Sequence, residues 1–192
     1  EIAYDNRMVH GSDAPCPEPH LLLGPNTWID STNHGTGNGS KTRQYIPAQG
    51  EILVEMLRRY LAAGGDESEL FVISPFKAVK QGLRTLIQAN ATLLGEAAVS
   101  GESVADTPEV DAQVRANQIR KWASDSIGTV HTFQGRENRT VVLVLGCDRT
   151  NKGAISWAGS APNILNVAVT RAKKNLFVIG PRALWCQQGD FA

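Results

Sequence analysis

Gly35-Thr36-Gly37-Asn38-Gly39-Ser40-Lys41-Thr42 differs at one residue from the pattern G-x-x-x-x-G-K-[ST], whose backbone N–H groups cradle a nucleotide's phosphates. Ser40 stands where the second glycine should let main chain approach the phosphates. Such a loop also needs an apolar strand before it and a helix after it. Here Ser31-Thr32-Asn33-His34 precedes and Gln44-Tyr45-Ile46-Pro47 follows. The stretch therefore reads as a surface loop. Val141 to Asp148 is an apolar run ending in a carboxylate, as a magnesium-holding strand would end. Without a phosphate loop Asp148 has no metal–phosphate unit to serve, and it reads as core plus loop.

Two other stretches concentrate groups suited to phosphates. They are Gly128-Thr129-Val130-His131-Thr132-Phe133-Gln134-Gly135-Arg136-Glu137 and Asn166-Val167-Ala168-Val169-Thr170-Arg171-Ala172-Lys173-Lys174. A guanidinium such as that of Arg171 matches a phosphoryl group bidentately, although residue chemistry alone makes it a surface arginine. Gly135 permits a tight backbone. Thr129, His131 and Thr132 can hydrogen-bond phosphates without reading bases. Ser74 could touch a phosphate, and the ring of Phe76 could stack on a base. Each has a plainer alternative: His131 as a packed structural histidine, Phe76 as core, Arg136 and Glu137 as a solvated ion pair.

Together these stretches resemble motifs V and VI of superfamily 1 helicases, in the branch with the UvrD-like carboxyl-terminal domain and the nonsense-mediated-decay type of helicase. Phe71-Val72-Ile73-Ser74-Pro75-Phe76-Lys77-Ala78 resembles motif IV. The resemblance is firm over residues 65–192 and loose before them. It implies the second RecA-like lobe of a two-lobe ATP-driven motor, with an α/β P-loop NTPase fold. Arg171 matches the arginine that reaches the γ-phosphate when the lobes close. Gln134, Gly135, Arg136 and Glu137 match the loop facing the nucleotide, the glutamate accepting a hydrogen bond from ribose. Ser74, Phe76, Thr129, His131 and Thr132 match the surface that holds a single strand of DNA or RNA. ATP and magnesium are implied, with magnesium held mainly by the first lobe, which is the other implied partner. Val79 stands where the family often has glutamine, so no polar contact carries over there. The family's arginine-containing segment at the start of this lobe is expected to lie before Glu1.

The elements that must position these groups alternate in type. Thr27-Trp28-Ile29-Asp30 reads as a short strand. Pro47 opens a helix whose stripe is Ile52, Leu53, Met56, Leu57 and Leu61, stopped by Gly64-Gly65. Leu70 to Ile73 reads as a buried strand, and Lys77 to Leu94 as a helix. Residues 95–111, small and acidic, read as a flexible insertion, and Ala112 to Ala123 as a helix, basic on one side. Strands are expected at Ile127–Val130, Thr140–Leu145 and Leu176–Ile179, with a helix over Ile164–Ala172. The pattern predicts a mostly parallel sheet with helices on both faces. Ligands gather at the carboxyl ends of such strands, which points to Ser74–Phe76, His131–Phe133 and the Gly146 loop. Residues 1–50 form a loop-rich opening segment of the domain spanning 51–192.

Of the 192 residues, 42% are hydrophobic and 20% charged, enough for one domain with a sizeable core. The formal net charge is zero, so binding to nucleic acid requires a local basic strip. No run approaches the roughly 20 apolar residues of a membrane span, and the chain starts without a signal peptide's basic and apolar regions. The missing initial methionine suggests a piece of something longer. Cys16, Cys147 and Cys186 form no close pair and read as reduced thiols of a cytoplasmic protein. The expected function is therefore half of an ATP-dependent helicase. Two rivals are a non-catalytic RecA-like binding domain and a self-contained ATPase using Gly35–Thr42.

Overall fold

The computed structural model describes residues 20–31, 44–100, 108–160 and 162–187. The near-phosphate loop at Gly35–Thr42, Cys16 and most of the opening segment lie outside them. In chain order the elements are β1 (Thr27–Asp30), α1 (Pro47–Ala62), β2 (Leu70–Ser74), α2 (Lys77–Ala89), α3 (Ala91–Ser100), α4 (Pro108–Ser126), β3 (Ile127–Thr129), a 3-10 turn (Val130–Phe133), β4 (Asn138–Val144), α5 (Lys152–Ser160), α6 (Pro162–Thr170), β5 (Ala172–Gly180) and α7 (Arg182–Trp185). Among the described residues the strands form one five-stranded sheet in the order β1-β5-β4-β2-β3, with every pairing parallel.

Parallel neighbours need crossovers, and crossovers are right-handed. The chain moves one way across the sheet from β1 to β2 to β3, and the other way from β3 to β4 to β5. Helices α1–α4 therefore cover one face, while the 3-10 turn, α5 and α6 cover the other. With both faces covered, the middle strands carry unbroken apolar runs: Leu70 to Ile73 and Val141 to Leu145 are all buried. This is the expected α/β RecA-like architecture.

Two expectations about the helices need correction. The helix from Lys77 stops at Ala89 rather than at Leu94. Asn90 leaves helical geometry, and its side-chain amide donates to the Leu86 carbonyl at 2.9 Å. Residues 95–100 and 108–111 are helical, not parts of a flexible insertion. Their small size has a packing cause. A Cβ on Gly95 would lie 2.5 Å from the Ala112 carbonyl oxygen, and Ala98, Ala112 and Ala116 are buried beside it. Small residues let α3 and α4 cross closely, a reason for composition that mimics disorder. Smaller differences are that Val130 leaves its strand, that β5 starts at Ala172, and that α5 and α7 had no sequence signal. Among the described residues no helix is long and apolar enough to cross a membrane.

Candidate functional site

Thr129 ends β3 at the carboxyl edge of the sheet, level with Ser74. The chain must then return across β2 to begin β4 at the amino edge. It does so through the 3-10 turn rather than a helix. Thr129 and Thr132 form a reciprocal cap: the Thr132 hydroxyl accepts from the Thr129 N–H at 3.2 Å, and the two hydroxyl oxygens lie 3.2 Å apart. Phe133, fully buried, stacks on Phe71 with ring centroids 4.4 Å apart.

A tight turn follows. Gln134 has φ −59 and ψ 121, Gly135 has φ +80, and the Arg136 N–H donates to the Phe133 carbonyl at 3.0 Å. These are the angles and bond of a type II turn, which requires a residue tolerant of positive φ at its third position. Nothing lies within 4 Å of a Cβ built on Gly135, so the glycine is needed for its backbone angle, not for space. The Arg136 guanidinium sits over the rings of Phe71 and Phe133, at 5.1 and 5.5 Å. Such cation–π contacts contribute about 0.5–1 kcal/mol at exposed sites. Gln134, Gly135, Arg136 and Glu137 are all exposed.

Arg171 meets this turn from the other stretch. It follows α6 and precedes β5, so it too lies at the amino edge. Its Nε donates to the Val167 carbonyl at 3.2 Å, its Nη2 to the Thr170 hydroxyl at 3.1 Å, and its Nη1 to the Arg136 carbonyl at 3.4 Å. The Asn138 N–H donates to the Arg171 carbonyl at 2.9 Å. Three of the five N–H donors of a guanidinium are thus held by protein, and two remain for a ligand. Lys173 and Lys174 are exposed on the following residues. The amino edge of β4 and β5 therefore carries Arg136, Arg171, Lys173 and Lys174 with the exposed carboxylate Glu137, while Arg139 beside them is paired with Glu69 at 3.6 Å. Such a set can bind a polyphosphate and meet charge developing on it. This group lies at the edge opposite the carboxyl strand ends where ligands usually gather, because the crossover carries its loop there.

The residues expected to grip a strand are at the carboxyl edge, but four of the five are buried or already hydrogen-bonded. Ser74 is completely buried, and its hydroxyl accepts from the Phe76 N–H at 3.3 Å. Phe76 is only 4% exposed, with its ring between those of Trp157 and Trp185 at 6.1 and 6.4 Å. Neither can touch a phosphate or stack on a base in this arrangement. Thr129 is buried and Thr132 exposed, with both hydroxyls engaged in the cap; His131 is exposed. The Gly146 loop is closed by α1 and the residues just before it: the Gly146 N–H donates to Gln49 Oε1 at 2.8 Å and the Cys147 N–H to the Gln44 carbonyl at 2.7 Å. Burial pushes the Cys147 thiol up to about 12, which makes it a packed group rather than a nucleophile. Asp148 accepts from the Thr150 N–H at 2.8 Å and shapes its own loop. Sequence reasoning missed Trp157, an exposed aromatic beside Phe76. Its helix, Lys152–Ser160, contains Gly153, Gly159 and two serines and gave no periodic signal.

Comparison with known proteins adds the following. The family described as an AAA domain matches residues 1–183. The chain is similar to the regulator of nonsense transcripts 1 homolog of Neurospora crassa, 26% identical over 186 residues, covering 97% of this chain and 14% of that protein. It is also similar to the regulator of nonsense transcripts 1 homolog of Drosophila melanogaster, 24% identical over 187 residues, covering 97% of this chain and 13% of that one. The chain thus spans about a seventh of the length of these relatives.

Proposed function

Because the chain belongs to the AAA-domain family, in its superfamily 1 helicase carboxyl-terminal form, we propose that it is the second motor lobe of an ATP-dependent nucleic-acid helicase. The observation that carries this reading is the joining of the Gly135 turn to Arg171 at one edge of the sheet. A motor of this kind shuts two lobes on ATP. The lobe described here supplies groups that complete the site only on closure. Arg171 is the finger: its remaining N–H donors meet charge on the transferring γ-phosphoryl group. Fingers of this type contribute roughly 10³–10⁵ in rate. The exposed Glu137 accepts from the ribose, and Gln134, Gly135 and Arg136 form the wall of the nucleotide site.

ATP hydrolysis also uses magnesium. Among the described residues no three His, Cys, Asp or Glu side chains are grouped to hold a metal ion. The Gly135 turn and Arg171 present mainly cationic and main-chain groups rather than the one or two carboxylates such an ion takes beside phosphates, and we assign its ligands and the phosphate loop to the first lobe. The other partner is a single strand of DNA or RNA, held at the carboxyl edge near His131. The strand is passed along and separated from its complement as the lobes open and close. The wide spacing of the three cysteines along the sequence, with no close pair, supports a reducing, cytoplasmic setting.

The test is nucleotide binding and turnover by the 192-residue chain and by a longer protein containing it. The chain by itself should show no turnover above buffer, while the longer protein hydrolyses ATP in response to single strands. Magnesium-dependent turnover by the chain, lost on Lys41→Ala, would instead establish the self-contained ATPase. A longer protein that binds strands without any turnover would establish the non-catalytic binding domain.

A further inference from the structure

Strands β2 and β4 are neighbours, yet their outgoing connections lead to opposite faces and in opposite directions across the sheet. β2 leads into α2 on one face, and β4 leads towards α5 on the other. Connections that diverge in this way open a crevice at the carboxyl ends of the two strands, the usual ligand position in parallel sheets. Three aromatic rings stand there. Trp185 is fully buried, Phe76 is 4% exposed, and Trp157 is 51% exposed. The Phe76 ring lies 6.4 Å from Trp185 and 6.1 Å from Trp157. Two packed rings thus stand beside a third whose side chain is half exposed.

The charges around this crevice have one prevailing sign. Lys77 and Lys80 begin α2, Arg149 lies in the loop after β4, and Lys152 begins α5; Lys77, Arg149 and Lys152 are exposed. The opposing carboxylates at this edge are Asp148, which is hydrogen-bonded to Thr150, and the exposed Glu51 near the start of α1, whose Gln49 bonds the Gly146 loop. A chain with zero net charge therefore places three exposed cations on elements that begin at the edge where the exposed ring of Trp157 also lies. This pairing suits single-stranded nucleic acid, whose backbone follows positive charge while a base stacks on a ring. A protein partner would explain the tryptophan but not the cations at the same edge.

We propose that Trp157 is the stacking platform for one base of the bound strand, with Lys77, Arg149 and Lys152 neutralising the adjoining phosphates. This rests on the helicase reading above and replaces the stacking role expected of Phe76. Binding is indifferent to sequence, because every base offers a face to the ring.

The test measures affinity of the protein for fluorescent U12 and dT12 across a salt series, with variants Trp157→Leu and Trp157→Phe. Leucine keeps apolar packing over Phe76 and removes the aromatic face, so affinity should fall roughly tenfold. Phenylalanine keeps a face and should stay within about threefold of wild type. Neither should alter the salt slope, whereas Lys77→Ala with Lys152→Ala should make it shallower by about 1.4. Wild-type affinity in Trp157→Leu would overturn the stacking role while leaving the helicase reading intact. An unchanged slope in the lysine double variant would overturn the phosphate strip. Absence of single-strand affinity in the wild-type protein would remove the helicase reading and this inference with it.

Discussion

Arg171 Nη1 lies 3.4 Å from the carbonyl oxygen of Arg136, and the Arg171 carbonyl in turn accepts the Asn138 N–H at 2.9 Å. The two stretches singled out for phosphate chemistry are therefore one structural unit at the start of β4 and β5. Any change in the Gly135 turn is felt at the guanidinium, which makes the geometry of that turn the first place to probe.

Gly135→Ala should destabilise the protein by about 1–2 kcal/mol, because φ +80 places an L side chain in the left-handed region. Surrounding space is open, so no clash adds to this cost. Gly135→Asn should recover much of the loss, since asparagine tolerates that conformation. Urea unfolding of both variants checks this. Equal stability of the alanine variant and wild type would mean the turn adopts another form in solution.

Thr132→Val should remove the reciprocal cap on the 3-10 turn and cost about 0.5–2 kcal/mol. Its hydroxyl is engaged with Thr129, so single-strand affinity should change less than about twofold. A large loss of affinity at unchanged stability would show that this hydroxyl serves the strand and not the turn.

His20 predicts a pH dependence. Its Nδ1 accepts from the N–H groups of Leu22 at 3.1 Å and Leu23 at 3.3 Å. Burial, then the charge of Arg139, lowers its affinity for a proton, with Glu69 acting weakly the other way. The unfolded chain therefore binds the proton more tightly than the folded one. The stability this contributes is fully present above the unfolded value near 6.5 and is lost as pH falls through the lower folded value. His20→Asn keeps an acceptor that does not titrate. Between pH 7.5 and pH 5, urea midpoints should fall further for wild type than for His20→Asn. Parallel falls would remove His20 as the cause.

The strands and the motif residues were legible because their signals are local. A buried β-branched run such as Val141 to Leu145 has few other uses, and Gly135 between polar neighbours already implied a turn. What the sequence hid depended on contacts between distant residues. Gly95, Ala98 and Ala112 look like a flexible composition until α3 and α4 are seen to touch. Phe76 reads equally as a stacking ring or as core, and only Trp157 and Trp185, more than 80 residues further along, decide it. The position of the Gly135 turn at the amino edge was hidden too, because a four-residue 3-10 turn performs a crossover normally made by a helix.

The most direct measurement is strand-stimulated ATP hydrolysis by a longer protein that contains this chain, with Arg171 intact and as Arg171→Ala and Arg171→Lys. A finger acts on transition-state charge, so kcat should fall by roughly 10³-fold or more in the alanine variant, with little change in KM or in single-strand affinity. Lysine should rescue little, because it lacks the planar fork. Hydrolysis by Arg171→Ala at the wild-type rate, with the protein folded and strand-bound, would contradict the assignment of this edge as the half-site that closes on ATP.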